Sequence, residues 1–223
     1  MKARKWTSNA AKVIEAAPEE NRATELRLND KEEPIVKALG ITWNTSEDRV
    51  AICTGTENKV LPMTKRNVLK KIAGVFDPLG FTVSFVMKGK MLLQELWFRG
   101  YDWDDIIKDD IVYKIGAWLQ HPGFLSVVKV PRCLRDAKPV VSKEIVTFVD
   151  ASMQAYGAAS YLCYHYEDDT ISSRLIASKS KVAPLKPITV PRLELMSAVL
   201  GLRLTQRVAT IIEISLGDGE LLL

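Results

Sequence analysis

The chain has 223 residues, which allows one large domain or two small ones, and 47% of them are apolar, which is enough for a hydrophobic core. The net charge of +4 is too small to establish a nucleic-acid partner by itself. The cysteines form no Cys-x-x-Cys pair, which excludes a disulfide framework and structural zinc and favours an intracellular protein. No apolar run approaches the roughly 20 residues of a membrane span, which excludes a membrane partner.

Residues 1–62 have the pattern of a small β-rich segment. A short helix is predicted over residues 9–16, and two strands are predicted over Ala38–Asn44 and Asp48–Cys53 on either side of a turn. This hairpin has too little apolar surface to be stable alone, so we expect it to be part of something larger.

Residues 63–130 have the apolar spacing of three amphipathic helices. Thr64 is a predicted N-cap for the first helix, which should end at Asp77 because a proline follows it. The second helix is predicted over 82–98 and the third over 104–119. Basic residues give the first helix a face that could bind nucleic acid, although such faces are most often simply solvated. The candidate nucleic-acid-binding residues on this face are Lys65, Arg66, Lys70 and Lys71.

Residues 131–143 are the predicted linker, because they contain two prolines and mixed charges. The remainder, residues 144–223, has strand patterns over 144–150, 155–166 and 172–178, then a helix over 191–209 and a fourth strand over 212–216. The order of these elements predicts an α/β (α+β) fold in which a helix packs on a sheet.

Two acidic residues stand out in this last region. Asp150 ends a strand that we expect to be buried, and a buried carboxylate is costly unless it is paired or bound to a cation. The best candidate for a partner is Glu194, in the first turn of the helix that Pro191 begins. Asp and Glu oxygens are suitable ligands for Mg²⁺.

The sequence motifs of this last region are specific enough to indicate a family. Phe148-Val-Asp-Ala-Ser152, Ser178-Lys-Ser-Lys-Val-Ala-Pro-Leu-Lys186 and Pro191-Arg-Leu-Glu-Leu195 resemble, in this order, the Pol polyprotein of Bel/Pao-type LTR retrotransposons. Residues 5–9 and 39–43 resemble the end of the reverse transcriptase palm, and 71–80 resemble the stretch that follows it. The resemblance implies a palm-like end over 1–62, a helical thumb or connection over 63–130, and a truncated ribonuclease H-like mixed sheet with a packed helix over 144–223.

The resemblance also implies an activity, the hydrolysis of the RNA strand of RNA–DNA hybrids with two Mg²⁺ ions. Carried over by position, the catalytic and metal-binding residues are Asp150, Glu194 and Asp218. Gly217-Asp218-Gly219 differs from the Thr-Asp-Ser motif of the family. The family's last acidic ligand has no counterpart in the sequence. We therefore expect the activity of the isolated chain to be weak or absent.

The stretch before Glu194 is rich in cations. From Thr170 to Leu193 there is no acidic residue, and cations placed there could hold the phosphates of an RNA–DNA hybrid or another nucleic acid. These cations are Arg174, Lys179, Lys181, Lys186 and Arg192. The other expected partner is the remainder of the Pol polyprotein, either in a cytoplasmic retroelement particle or in the nucleus.

Two other functions stay open at this point. Asp150-Ala-Ser152 is similar to the Asp-Thr/Ser-Gly of aspartic peptidases, and regions of this kind have been labelled as Pao retrotransposon peptidases, although the glycine is missing. The second alternative is a non-catalytic, nucleic-acid-binding remnant of the retroelement.

Overall fold

The structure is a computed structural model that describes residues 6–22, 35–38, 41–52, 61–108, 110–120 and 129–214. Its helices are α1 (Ala11–Glu15), α2 (Lys65–Ala73), α3 (Val83–Phe98), α4 (Asp110–Leu119) and α5 (Val190–Ile211), with one 3-10 turn at Glu19–Asn21. Its strands are β1 (Ile35–Ala38), β2 (Ile41–Asn44), β3 (Arg49–Ile52), β4 (Lys129–Pro131), β5 (Val140–Ala151), β6 (Ala155–Tyr166) and β7 (Ile171–Val182). Helices together with antiparallel sheets confirm the predicted α/β (α+β) class. None of the described helices is both long and apolar enough to cross a membrane.

The first sheet has the order β1-β2-β3-β4, with every pair antiparallel. The predicted hairpin is β2 and β3, and β4 adds to it by pairing Val130 with Val50. The guanidinium of Arg132 donates to the carboxylate of Asp48 at 2.5 and 3.1 Å. The predicted linker, residues 131–143, contains the end of β4 and the start of β5. Local composition could not show this, since the partner strand is remote in sequence.

Helices α2, α3 and α4 surround a core of large apolar side chains. Its buried members are Val68, Ile72, Leu96, Ile107, Ile111, Ile115 and Trp118. Thr64 caps α2 as predicted, because its Oγ1 accepts a hydrogen bond from the amide of Asn67 at 3.3 Å.

Two helix boundaries in this region were predicted wrongly. Helix α2 ends at Ala73 rather than at Asp77, whose carboxylate instead accepts hydrogen bonds from the amides of Gly80, Phe81 and Thr82 before α3. Residues 104–108 are not helical and run beside the start of α2, where the amide of Ile107 donates to the carbonyl of Met63 at 2.9 Å. At the second place the carboxylate of Asp105 also holds a loop, because it accepts a hydrogen bond from the amide of Asp102 at 2.9 Å.

The second sheet is an antiparallel meander, β5-β6-β7, with 12 residues in each strand and β6 at its centre. Helix α5 packs on one face of this sheet, with Leu193 and Leu200 against Tyr156 and Ala158. The predicted fourth strand is wrong for Ile212–Ile214, which form a turn and a short coil after α5, and its last two residues lie outside the described residues.

The helical region docks on the outer edge of β7. The amide of Ser178 donates to the carbonyl of Leu79 at 2.8 Å, and Gln94 Nε2 donates to the carbonyl of Ala183 at 2.6 Å. Gly80 has a φ of +81°, and a Cβ atom there would lie 2.2 Å from the carbonyl oxygen of Ser178. The close approach of the loop to β7 therefore needs glycine at this position.

Candidate active site

Small residues recur at every fourth position along the face of α5 that meets the sheet. The first is Ser197, which is fully buried. Its Oγ lies 3.1 Å from the amide nitrogen of Asp150, 2.8 Å from the carbonyl oxygen of Asp150 and 2.5 Å from the carbonyl oxygen of Gly157. The hydroxyl accepts from the amide and donates its single proton to the carbonyls, so it attaches α5 to the ends of β5 and β6.

The next two small residues bring the helix backbone close to β5. A Cβ atom on Gly201 would lie 2.4 Å from Val149 Cγ1, so only glycine fits here. Thr205 Oγ1 lies 2.6 Å from Thr147 Oγ1, which in turn lies 2.9 Å from Ser160 Oγ. Close backbone approach and buried hydroxyl contacts therefore fix the position of α5 on the sheet.

Asp150 is the next-to-last residue of β5 and is exposed, not buried as predicted. The side chains of Thr147 and Val149 face α5, so strand alternation directs Asp150 towards the other face of the sheet. Its cross-strand neighbour is Gly157, where a Cβ atom would lie 3.2 Å from the carbonyl oxygen of Lys179 and 3.2 Å from Cβ of Ser180, so β7 packs closely beside it. The prediction of a buried charge failed because this face of β5 is uncovered: Phe148, two residues earlier on the same face, is 53% exposed.

Glu194 is also exposed, in the second turn of α5. It precedes Ser197 by three residues, which is about 4.5 Å along the helix axis. Leu193 beside it packs in one cluster with Tyr156 and Ala183, which lie at the end of the sheet where β5 terminates. The start of α5 and the end of β5 thus bring the two acidic residues to the same end of the sheet.

The chemistry of these two carboxylates fits a divalent cation. Asp150 Oδ1 accepts one hydrogen bond, from the amide of Ala151 at 2.8 Å. Within the described part of the chain neither carboxylate forms an ion pair, so both keep oxygen atoms available for Mg²⁺. Asp150 leaves the face of the sheet opposite α5, whereas Glu194 lies on α5 itself.

The third predicted ligand, Asp218, lies outside the described residues. Among the residues that the structure describes, no group of three or more His, Cys, Asp or Glu side chains could hold a metal ion. The ligand set of Asp150, Glu194 and Asp218 therefore stays a prediction.

Most of the cations predicted to bind nucleic acid near Glu194 are accessible. Four of them are exposed and have no ion pair in the described residues, namely Lys179, Lys181, Lys186 and Arg192. Lys181 pairs in register with Tyr156, which places it at the same end of the sheet as Asp150 but on the face that α5 covers. Arg174 differs, because it is half-buried and its guanidinium donates to the carboxylate of Asp136 at 3.1 Å.

The four cations predicted on α2 differ more strongly in how exposed they are. Lys65 is 2% exposed, its Nζ donates to the carbonyl of Tyr101, and it lies 3.7 Å from the centre of the Trp97 ring. The prediction that Lys65 binds nucleic acid is therefore wrong: the ammonium group packs inside the fold, against residues more than 30 positions away.

The other three α2 cations lie nearer the surface. Arg66 is held in a two-bond ion pair with Asp104, with N to O distances of 2.7 and 2.9 Å. Lys70 is exposed and Lys71 is half-buried. Lys70 is the one of the four that best keeps its predicted role.

Sequence reasoning missed Ser197 and Gly157, the two residues that shape the surroundings of Asp150. The sequence does contain a signal for the first, since Ser197, Gly201 and Thr205 repeat at the spacing of one helical face. A helix whose inner face is lined by small residues can lie unusually close to its sheet. Gly157 gave no comparable signal, because its importance depends on the register between β5 and β6.

Comparison with known protein families gives one match. Residues 64–221 match the family model of the Pao retrotransposon-like RNaseH-like domain. The match begins at the cap of α2 and so includes the helical region as well as the second sheet and α5. No curated protein matches the chain.

Proposed function

We propose that this chain, which belongs to the Pao retrotransposon-like RNaseH-like domain family, binds RNA–DNA hybrids and hydrolyses their RNA strand with divalent cations. The family membership makes the chain a region of a Bel/Pao-type retrotransposon Pol polyprotein. The observation that supports the activity is the position of Asp150 and Glu194, both exposed at the end of the sheet where α5 begins.

The two carboxylates would hold the cation, with Asp218 as a third ligand. Bound divalent ions would make a water nucleophilic and stabilise the leaving oxygen of the phosphodiester. The chain would thus supply oxygen ligands at fixed positions, from the end of β5 and from α5, which Ser197 connects by hydrogen bonds.

The exposed cations would hold the substrate. Lys179, Lys181, Lys186 and Arg192 carry positive charge that no acidic side chain of the described residues neutralises. Such cations bind phosphates without reading bases, which suits a duplex recognised by its shape and 2′-hydroxyls. Nucleic-acid affinity should therefore fall steeply as salt concentration rises.

The experiment is a cleavage assay on a hybrid with a labelled RNA strand, with Mg²⁺ and with a chelator. We expect slow cleavage that needs the metal and falls about 100-fold or more in Asp150→Asn, because a ligand to the cation is lost. Asp169→Asn is the matched control. Asp169 is an exposed aspartate with a φ of +59° in the turn between β6 and β7, at the opposite end of the sheet, and asparagine adopts that conformation readily.

Assays of peptide cleavage and of hybrid binding on the same variants separate the other two functions. Peptide cleavage that needs Asp150 but no metal would favour the aspartic peptidase. Salt-sensitive binding of the hybrid with no cleavage, unchanged in Asp150→Asn, would favour the non-catalytic nucleic-acid binder and contradict the nuclease.

A further inference from the structure

Ser197 has an unusual position for a buried hydroxyl. It is fully buried, and its Oγ is within hydrogen-bond distance of three backbone atoms on two strands. Two of these atoms belong to Asp150 itself, and Glu194 lies one turn earlier on the same helix as Ser197. Ser197 thus directly connects the backbone of one acidic residue to the helix that carries the other.

We propose that Ser197 is a positioning residue that holds the end of β5 against the start of α5 and so sets the separation of the Asp150 and Glu194 carboxylates for a shared divalent ion. The proposal rests on the proposed function and adds a residue that never touches the metal or the substrate. Any sliding of α5 along β5 moves Glu194 relative to Asp150, and the Ser197 hydroxyl is a hydrogen-bonded contact close to both that resists this sliding.

The same interface contains a contact that is similar in chemistry but remote from the carboxylates. Thr205 Oγ1 lies 2.6 Å from Thr147 Oγ1, two helical turns beyond Ser197, and also donates to the carbonyl of Gly201 at 3.0 Å. Removal of either hydroxyl leaves buried polar partners unsatisfied and should lower stability. Only the removal of Ser197 should also change metal binding, and this difference separates a positioning role from a purely structural one.

The test measures Mn²⁺ binding to the full chain, without substrate, for the unsubstituted protein, Ser197→Ala and Thr205→Val. We expect Ser197→Ala to weaken Mn²⁺ affinity about 10-fold to 100-fold, the usual cost of losing a residue that orients a ligand. Thr205→Val, which keeps the side-chain shape, should change the affinity by less than about 2-fold. Thermal unfolding of both variants shows whether their losses of stability are comparable, and faster hydrogen exchange at the Asp150 amide is expected in Ser197→Ala alone.

Each result has a defined meaning. Equal Mn²⁺ affinities in Ser197→Ala and Thr205→Val would overturn the positioning role while leaving the proposed function intact. Absence of Mn²⁺ binding to the unsubstituted chain would instead overturn the proposed function and this proposal with it. If Ser197→Ala does not fold, Ser197→Cys replaces it, because a thiol is a weaker hydrogen-bond donor of similar size, and an unchanged affinity in that variant would likewise overturn the proposal.

Discussion

The helical region and the interface beneath α5 are held together in different ways. Helices α2 to α4 surround large apolar side chains, among them Leu96, Ile115 and Trp118, each no more than 5% exposed. At the α5 interface the contacts nearest to β5 come instead from Ser197, Gly201 and Thr205. The first region gains stability from buried apolar volume, and the second gains a fixed distance between backbones.

This difference indicates where each region tolerates substitution. A large apolar core can adjust to a changed side chain by repacking, at a cost that depends on the cavity left behind. A contact set by the absence of a side chain cannot adjust, because added atoms must push the backbones apart. A site that needs two carboxylates at a fixed separation is better served by the second kind of contact.

The largest expected effect is in the helical core. Leu96→Ala should lower the free energy of unfolding by about 3 kcal/mol, since Leu96 is fully buried and its removal leaves a cavity. Leu195→Ala on α5 is the control, because Leu195 is 65% exposed and should change stability by less than about 0.5 kcal/mol. Urea unfolding measures both, and a loss below about 1 kcal/mol for Leu96→Ala would mean that buried volume does not hold this region together.

The next effect tests the contact beneath α5. Gly201→Ala should destabilise the protein by about 1 to 3 kcal/mol, because its Cβ would lie 2.4 Å from Val149 Cγ1. Gly116→Ala in α4 is the matched control. A Cβ there meets nothing within 4 Å, so alanine should stabilise the helix by up to about 1 kcal/mol. If both substitutions stabilised the protein, the close approach of α5 to β5 would be contradicted.

A smaller effect distinguishes buried from exposed cations on α2. Lys65→Met should cost about 1 to 2 kcal/mol, because the ammonium group loses the Trp97 ring and the Tyr101 carbonyl, yet it should leave nucleic-acid affinity unchanged. Lys70→Gln should do the reverse, with little change in stability and weaker binding at low salt. Hybrid binding measured by fluorescence anisotropy decides between them, and weaker binding by Lys65→Met would restore its predicted role.

How much of the fold can be predicted depends on how far apart in sequence the interacting residues are. Strand β6 was predicted with its observed bounds, because small and aromatic residues along one segment are a local signal. Strand β4 was missed because its pairing with β3 joins residues that are remote in sequence. The burial of Lys65 was missed for the same reason, since Trp97 and Tyr101 come from the end of α3 and the loop that follows it.

At the candidate site, too, local features were predicted and features that depend on contacts remote in sequence were missed. The sequence pattern placed Asp150 at a strand end and Glu194 near the start of a helix, and the structure has both there. The exposure of Asp150 could not be predicted from the strand itself, because it depends on what packs on the face of β5 opposite α5. The contact of Ser197 with the Asp150 backbone depends on how deeply α5 sits on the sheet, which in turn depends on Gly201.

The smallest expected effect comes from an exposed ion-pair network between α3 and α4. Hydrogen bonds from Arg99, and then from Lys114, lower the pKa of Asp110 to about 2 from an ordinary value of 3.8. A carboxylate whose pKa is lowered by folding stabilises the native state above its unfolded pKa, so this contribution is present above about pH 4 and is lost as the pH falls towards 2. The stability difference between the unsubstituted chain and Asp110→Asn should therefore close over this range in urea unfolding. A difference that stays constant would contradict the ion pair.

The central claim is that Asp150 and Glu194 bind one divalent ion together, and a double-mutant cycle of Mn²⁺ affinity tests it most directly. Asp150→Asn and Glu194→Gln should each weaken binding strongly, and the double variant should be little weaker than either single variant, because the shared ion is already lost. Independent, additive losses would show that the two carboxylates bind separate ions, no loss in either single variant would show that they bind none, and both results would contradict the account.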